Sequence, residues 1–179
     1  GTNETKAVLI DEKCEIVAFA SCGHDLLNPQ PGFFEHDAEK TWWGDFCHLS
    51  RQLLAESGVD AKDVGCVGLS ALGCDCVPVD AEGTALCNAI LYGVDSRSHK
   101  EIEWLYAYYG KEEAERLYGH ELCSSDIAPK ILWVKNNLPD VYAKTAKFLT
   151  GSSYLCAKLT GKFTIDRYLA EDFAPLYNL

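Results

Sequence analysis

Few residue patterns in this chain carry chemistry by type and spacing alone. Gly1-Thr2-Asn3 stands directly before an apolar run. A small-residue turn in that place aims backbone N–H groups and a threonine hydroxyl at a phosphate, with Lys6 as a nearby cation. Cys74-Asp75-Cys76 sets a carboxylate between two thiols. A thiol at a strand end becomes nucleophilic when a cation lowers its pKa, yet no basic residue lies close by in sequence. The plainer reading is a pair of thiols lining a strand-to-turn junction; a thiol-dependent enzyme using Cys74 is the sharper one. His24, His36, His48, His99 and His120 stand singly, without metal-ligand spacing, and read as capping or solvated residues. The chain has no GxGxxG, no GxxxxGK[ST], no GxSxG and no HExxH, so no metal site and no familiar nucleotide loop is read from these motifs.

Composition narrows the partners. The 179 residues are 47% hydrophobic and 24% charged, enough for one domain with a real core or for part of a larger protein. Sixteen basic against 27 acidic side chains leave a net charge of −11 without a local basic cluster. Such a surface repels phosphate backbones and anionic lipid, so neither nucleic acid nor membrane is expected as a partner. No apolar run approaches the roughly 18 residues that span a bilayer, and no basic-then-apolar leader opens the chain. Nine cysteines at irregular spacing, with no CxxC, suit a reducing cytoplasm in which thiols act as small buried hydrophobes. That reading also discounts the sequon Asn3-Glu4-Thr5. With glycine first and no methionine anywhere, the sequence reads as trimmed.

The elements that must position these residues follow from periodicity. Lys6–Ile10 and Glu15–Ala20 read as antiparallel strands joined by a short polar turn. Asn28-Pro29-Gln30-Pro31-Gly32 is a loop. Asp37 caps a helix striped by Trp42, Phe46, Leu49 and Leu53 and stopped by Gly58. Val64–Leu72 predicts a buried strand, Cys76–Val79 a second and Ala89–Tyr92 a third. Helices are expected from about Asp95 to Gly110, over 111–118, from Ala128-Pro129 to Pro139, over 140–148, and from a Ser152 or Ser153 cap to Gly161. Phe163–Ile165 reads as one more strand. Sheet first and helices later means α/β or α+β.

Taken in order, these pieces resemble a known family. Gly1-Thr2-Asn3 with the strand to Asp11, Pro31-Gly32-Phe33-Phe34-Glu35-His36-Asp37 with Trp42-Trp43, and Gly68-Leu69-Ser70-Ala71 followed by Val77-Pro78-Val79-Asp80 carry the first half of the resemblance. Ala89 to Arg97, Ala128-Pro129-Lys130-Ile131-Leu132-Trp133, Pro139-Asp140-Val141-Tyr142 and Leu159-Thr160-Gly161 carry the second. Over almost its whole length the chain resembles the N-terminal domain of FGGY-family carbohydrate kinases, and among them the xylulokinase-type members.

The resemblance implies an α/β, actin-like ATPase (ribonuclease-H-like) domain, with a mixed sheet flanked by helices. It implies transfer of the γ-phosphoryl group of MgATP to a hydroxyl of a sugar or polyol, a xylulose-like ketose being favoured. The alternative is a non-catalytic sugar-binding or regulatory module. Residues 1–179 would be the sugar-binding domain, with the base aspartate and the ATP-binding domain beyond Leu179. Gly1, Thr2, Asn3 and Lys6 then fall on the phosphate hairpin, and Leu72, Gly73, Cys74 and Asp75 on the sugar-contact turn. Xylulokinases commonly carry glutamine, methionine and histidine there, so this turn departs from the pattern. Asp75 either bonds a sugar hydroxyl or caps its turn. Asp95 and Arg97 match a shared pair that either contacts sugar or forms an ion pair at a strand-to-helix corner. A homodimer is a family-level expectation.

Overall fold

The computed structural model describes residues 1–177. A hairpin opens the chain: β1 (Glu4–Ile10) and β2 (Ile16–Gly23) pair antiparallel, with Ala7 opposite Ala20 and Val8 opposite Phe19. Strand alternation turns Ala7, Leu9, Ala18, Ala20 and Cys22 to one face, where they meet Leu49 and Leu53 of α1 (Gly44–Ser57). Val8, Ile10 and Phe19 point the other way and are exposed.

The expected helix after Asp37 forms. The Asp37 carboxylate accepts the Lys40 backbone N–H, and residues 38–43 wind as wider π-type turns before α1 begins. Trp42, Leu49 and Leu53 are buried, whereas Phe46 stacks on Trp43 at 5.4 Å. Gly58 stops the helix at φ 70, a left-handed position that glycine takes without steric cost.

The strand expected over 64–72 is not there. A single tight turn covers Ala61–Asp63, and from Gly65 to Leu72 no backbone–backbone hydrogen bond forms among the described residues. Only Val64 and Val67 of the nine residues 64–72 are β-branched, and no strand supplies a ladder to this segment among the described residues.

The remaining strands are short. β3 (Glu35–His36) pairs with β5 (Ala89–Ile90), and β4 (Val77–Val79) pairs with β6 (Lys147–Leu149), all antiparallel. A bridge between Cys76 and Ile90 joins the two ladders into one buried strip. Val77, Val79, Ala89 and Leu91 of this strip pack with Trp42, Leu149 and Tyr154 to form the main core.

Helices follow as α2 (His99–Tyr109), α3 (Lys111–Tyr118), α4 (Ile127–Asn137), α5 (Pro139–Lys144), α6 (Gly151–Thr160) and α7 (Arg167–Glu171). Three expectations near the end are corrected. The helix expected over 140–148 stops at Lys144, because Ala146 donates its N–H to Val79 and residues 147–149 are drawn into the ladder with β4. The cap of α6 is Thr150, whose hydroxyl accepts the Ser153 N–H, rather than Ser152 or Ser153. The strand expected at Phe163–Ile165 is irregular chain leading into α7, which Asp166 caps by accepting the Leu169 N–H. All nine cysteines are unpaired, and no helix among the described residues is long and apolar enough to cross a membrane.

Candidate functional site

The opening turn is held by its carbonyls. Gly1 has no room for a side chain: a β-carbon there would stand 2.9 Å from the Glu4 carbonyl oxygen. The Gly1 carbonyl meets His24 Nε2 at 3.0 Å, the Thr2 carbonyl meets His36 Nε2 at 2.9 Å, and the Asn3 carbonyl accepts the His24 backbone N–H at 3.0 Å. The N–H groups of Thr2 and Asn3 donate to no acceptor among the described residues. Lys6 lies on the exposed face of β1, where its ammonium pairs with Glu4 at 3.2 Å.

Both histidines went unassigned to the site by sequence, since neither has ligand spacing, although His36 sits inside the Glu35-His36-Asp37 run. His36 Nδ1 accepts the Trp42 indole N–H at 3.1 Å, so the imidazole is neutral with its proton on Nε2. Burial, and then the neighbouring His24, push its pKa below the ordinary value. The Trp42 ring in turn reaches the first turn of α6: a β-carbon on Gly151 would lie 3.7 Å from it and 3.3 Å from Asp75 Oδ2. A buried path of side chains therefore runs from Thr2 through His36 and Trp42 to the neighbourhood of the 72–75 turn.

That turn is closed rather than open. Leu72 is half-buried, and a β-carbon on Gly73 would touch the Tyr92 ring at 3.6 Å. Cys74 is buried and its thiol donates to the Asp172 carboxylate. Burial, then Asp172, push that thiol well above its ordinary range. Asp75 is fully buried; Oδ1 accepts the Tyr92 backbone N–H at 2.8 Å, while Oδ2 has no partner. Burial pushes Asp75 up to about 7. Beneath the turn lies Lys130, fully buried, with Nζ donating to the Cys74 carbonyl at 3.0 Å. Burial holds the ammonium below its usual pKa. The segment Ala128-Pro129-Lys130 gave this lysine away in sequence, but only as part of a motif, without a role.

Asp95 and Arg97 are brought together and both are buried. Arg97 Nε and one terminal nitrogen bind Asp95 at 3.0 and 2.8 Å, and the same nitrogen reaches Glu35 at 2.9 Å. Asp95 also accepts the Phe34 N–H at 2.7 Å, and the guanidinium lies over the Phe33 ring at 4.2 Å. A hollow of about 320 Å³ borders the pair, with Phe33, Asn88 and Trp133 in its wall. Among the described residues no three acidic, histidine or cysteine side chains group to hold a metal ion.

Comparison with known proteins gives a consistent picture. The profile of the FGGY family of carbohydrate kinases, N-terminal domain, matches residues 1–174. Glycerol kinase 1 of Saccharolobus solfataricus is 30% identical over 187 aligned positions that cover 100% of this chain and 36% of that protein. The xylulose kinase of Bacillus subtilis is 27% identical, covering 90% of this chain and 32% of that protein. A crystal structure of a xyloylose kinase from Brucella ovis superposes with a TM-score of 0.79 at 30% identity, over 90% of this chain and 32% of the other. The gluconate kinase of Lactobacillus acidophilus superposes with a TM-score of 0.83 at 22% identity, over 96% of this chain and 34% of the other, which speaks to fold alone. The chain thus spans about a third of the length of the curated relatives it matches.

Proposed function

This chain belongs to the FGGY family of carbohydrate kinases, and from that membership we propose that it is the sugar-binding N-terminal domain of an ATP-dependent kinase acting on a sugar or polyol. The fold is the α/β, actin-like one of its structural neighbours. The observation that carries the reading is the turn at Gly1–Asn3, with its carbonyls bonded inward and the N–H groups of Thr2 and Asn3 free to meet phosphate oxygens. ATP would supply the transferred phosphoryl group, and Mg²⁺ bound with it would neutralise its oxygens. The residues of this chain bind and orient. Gly1, Thr2 and Asn3 hold the phosphate tail, and Leu72 and Gly73 form the apolar lip against which the acceptor lies. Asp75 and Lys130 fix the turn from beneath, and the Asp95–Arg97 pair pins the strand-to-helix corner beside it. Lys6 adds a cation if it leaves Glu4. The base that takes the hydroxyl proton is assigned outside residues 1–179, so this stretch alone should transfer no phosphate.

A xylulose-like ketose is the favoured acceptor, supported by the B. subtilis relative and the B. ovis structure. The glycerol kinases make a smaller polyol its competitor. A non-catalytic sugar-binding module is the second reading; with Cys74 and Asp75 buried, a sugar would in either case meet the turn through Leu72, Gly73 and the backbone. The test is a thermal-shift and phosphoryl-transfer panel on the full-length protein, with ATP, xylulose, other ketoses and glycerol. Transfer to one of them, with a matching rise in thermal midpoint, supports the kinase. Stabilisation by a sugar without any transfer supports the module. Neither stabilisation nor transfer across the panel overturns both readings.

A further inference from the structure

Two histidines grip the opening turn from inside, and their hydrogen bonds fix their protonation. His36 has an acceptor, the Thr2 carbonyl, at Nε2 and a donor, the Trp42 indole, at Nδ1, so it is neutral. His24 is different. Its Nε2 faces the Gly1 carbonyl at 3.0 Å and its Nδ1 faces the Asp45 carboxylate at 2.8 Å. A backbone carbonyl and an ionised carboxylate accept only, so with Asp45 ionised both ring nitrogens of His24 donate. The pair is shielded, with 7% and 15% of the two side chains exposed. Asp45 Oδ2 is shared: it also accepts the Thr5 hydroxyl at 2.7 Å, and that hydroxyl lies 3.4 Å from His24 Nδ1. The other titratable groups facing His24 are Cys22 on β2, whose thiol is held up to about 11 by burial and Asp45, and His36 on β3, with its ring edge 4.9 Å away. One charged and one neutral imidazole side by side is the arrangement that like-charge repulsion permits.

We propose that His24 and His36 are positioning residues for the phosphate-binding turn, with His24 acting as an imidazolium braced by Asp45. Together with the His24 backbone N–H, their rings hold the carbonyls of Gly1, Thr2 and Asn3 inward. The N–H groups of Thr2 and Asn3 then face outward, which is the polarity an anion requires. The positive end of the His24–Asp45 pair lies against the turn and its carboxylate lies behind, on α1. In a chain of net charge −11 this places local positive charge where phosphate is to sit.

This inference rests on the kinase reading for its consequence, and not for its geometry. The decisive measurement is ¹⁵N-detected ring NMR of the full-length protein at pH 7. His24 is expected to show both ring nitrogens protonated and His36 only Nε2; a neutral His24 ring overturns the proposal. In the full-length enzyme, His24→Ala is expected to raise KM for ATP about tenfold, the weight of one ordinary buried hydrogen bond, with KM for the sugar little changed. His36→Gln keeps a donor for Thr2 and an acceptor for Trp42, so it should return ATP KM to within about threefold of the parent. His24→Gln cannot replace both donors and should not. A His24→Ala enzyme that is folded yet has unchanged ATP KM refutes the positioning role. If the protein phosphorylates nothing, the kinase reading falls, while the ring NMR still decides the state of His24.

Discussion

Asp75 and Gly151 meet so closely that neither position tolerates growth. A β-carbon added to Gly151 would stand 3.3 Å from Asp75 Oδ2 and only 2.9 Å from the Ala71 side chain. Gly151 is the first residue of α6, and its contact with Ala71 and Asp75 makes the start of that helix a floor for the 72–75 turn.

Gly151→Ala should therefore destabilise the protein. Alanine normally favours a helix, so an unhindered site would gain stability from the change. Here the added methyl must push back a neighbouring β-carbon, and overpacking of this kind costs about 1–3 kcal/mol. The expected result is a lower thermal midpoint and a raised KM for the acceptor, because the turn above is displaced. A midpoint equal to or above the parent's would show that the contact is slack.

Asp75 predicts a pH dependence with a definite sign. Its carboxyl titrates near 3.8 when unfolded and is raised to about 7 in the fold by burial. The folded state thus binds the proton more tightly. The stability contributed by this group is full below about pH 4, falls as pH rises and is gone above about pH 7. The slope approaches 1.4 kcal/mol per pH unit at most, on the order of one proton released. Denaturant unfolding of the parent and of Asp75→Asn across this range should differ in slope; parallel curves would contradict the buried, proton-holding carboxyl.

His36 works in the opposite direction. Its depressed pKa means the unfolded chain binds the proton first, so stability from this group is present above about pH 6.5 and lost as pH falls. Protonation of Nδ1 also ejects the Trp42 indole, so an acid-side change in tryptophan fluorescence should accompany the loss. His36→Gln should remove both signals. The two effects oppose each other in the parent and separate only in the variants.

How far sequence reached depended on whether the cause was local. The β1–β2 hairpin, the Asp37 cap, the stop at Gly58 and the α2 to α4 series depend on caps, glycines and apolar spacing, and those are legible one segment at a time. Val64–Leu72 has strand composition, but a ladder needs a neighbour, and composition does not report one. Lys147 and Phe148 left the helix expected of them because β4, far back in the chain, offers edge hydrogen bonds. Within the candidate site, Gly1–Asn3 was legible as a turn, whereas its anchors were not. His24 and His36 reach it across the hairpin and β3, and a lone histidine carries no spacing to read. Lys130 was visible within its motif, but its role was not, because the turn it supports lies 56 positions away.

Arg97 should be irreplaceable by lysine. Its fork engages Asp95 through two nitrogens, reaches Glu35 and stacks on Phe33. A lysine offers one point charge and no planar face. Removing a partner from a buried pair costs about 3–5 kcal/mol, so Arg97→Ala should approach unfolding, with Arg97→Lys falling between it and the parent. Urea midpoints on the three proteins check the order, and a lysine variant as stable as the parent would show that geometry at this corner is dispensable.

Cys74 supplies the last test, because it separates the kinase reading from a thiol-dependent one. A nucleophilic cysteine needs exposure and a depressed pKa. Cys74 has neither: it is buried, its thiol donates to Asp172, and burial together with that carboxylate push it far from thiolate. Cys76 is likewise buried and pushed up to about 12. Cys14, Cys66 and Cys123 are exposed. Alkylation of the native protein at pH 8, read residue by residue by mass spectrometry, should label those exposed three within minutes and reach Cys74 only on unfolding. Fast labelling of Cys74 in the native protein, blocked by a substrate, would restore the thiol mechanism and remove Cys74 from the closed turn described above. Slow labelling that ligand does not alter leaves the thiol a packing group, and the chemistry of the turn to its backbone.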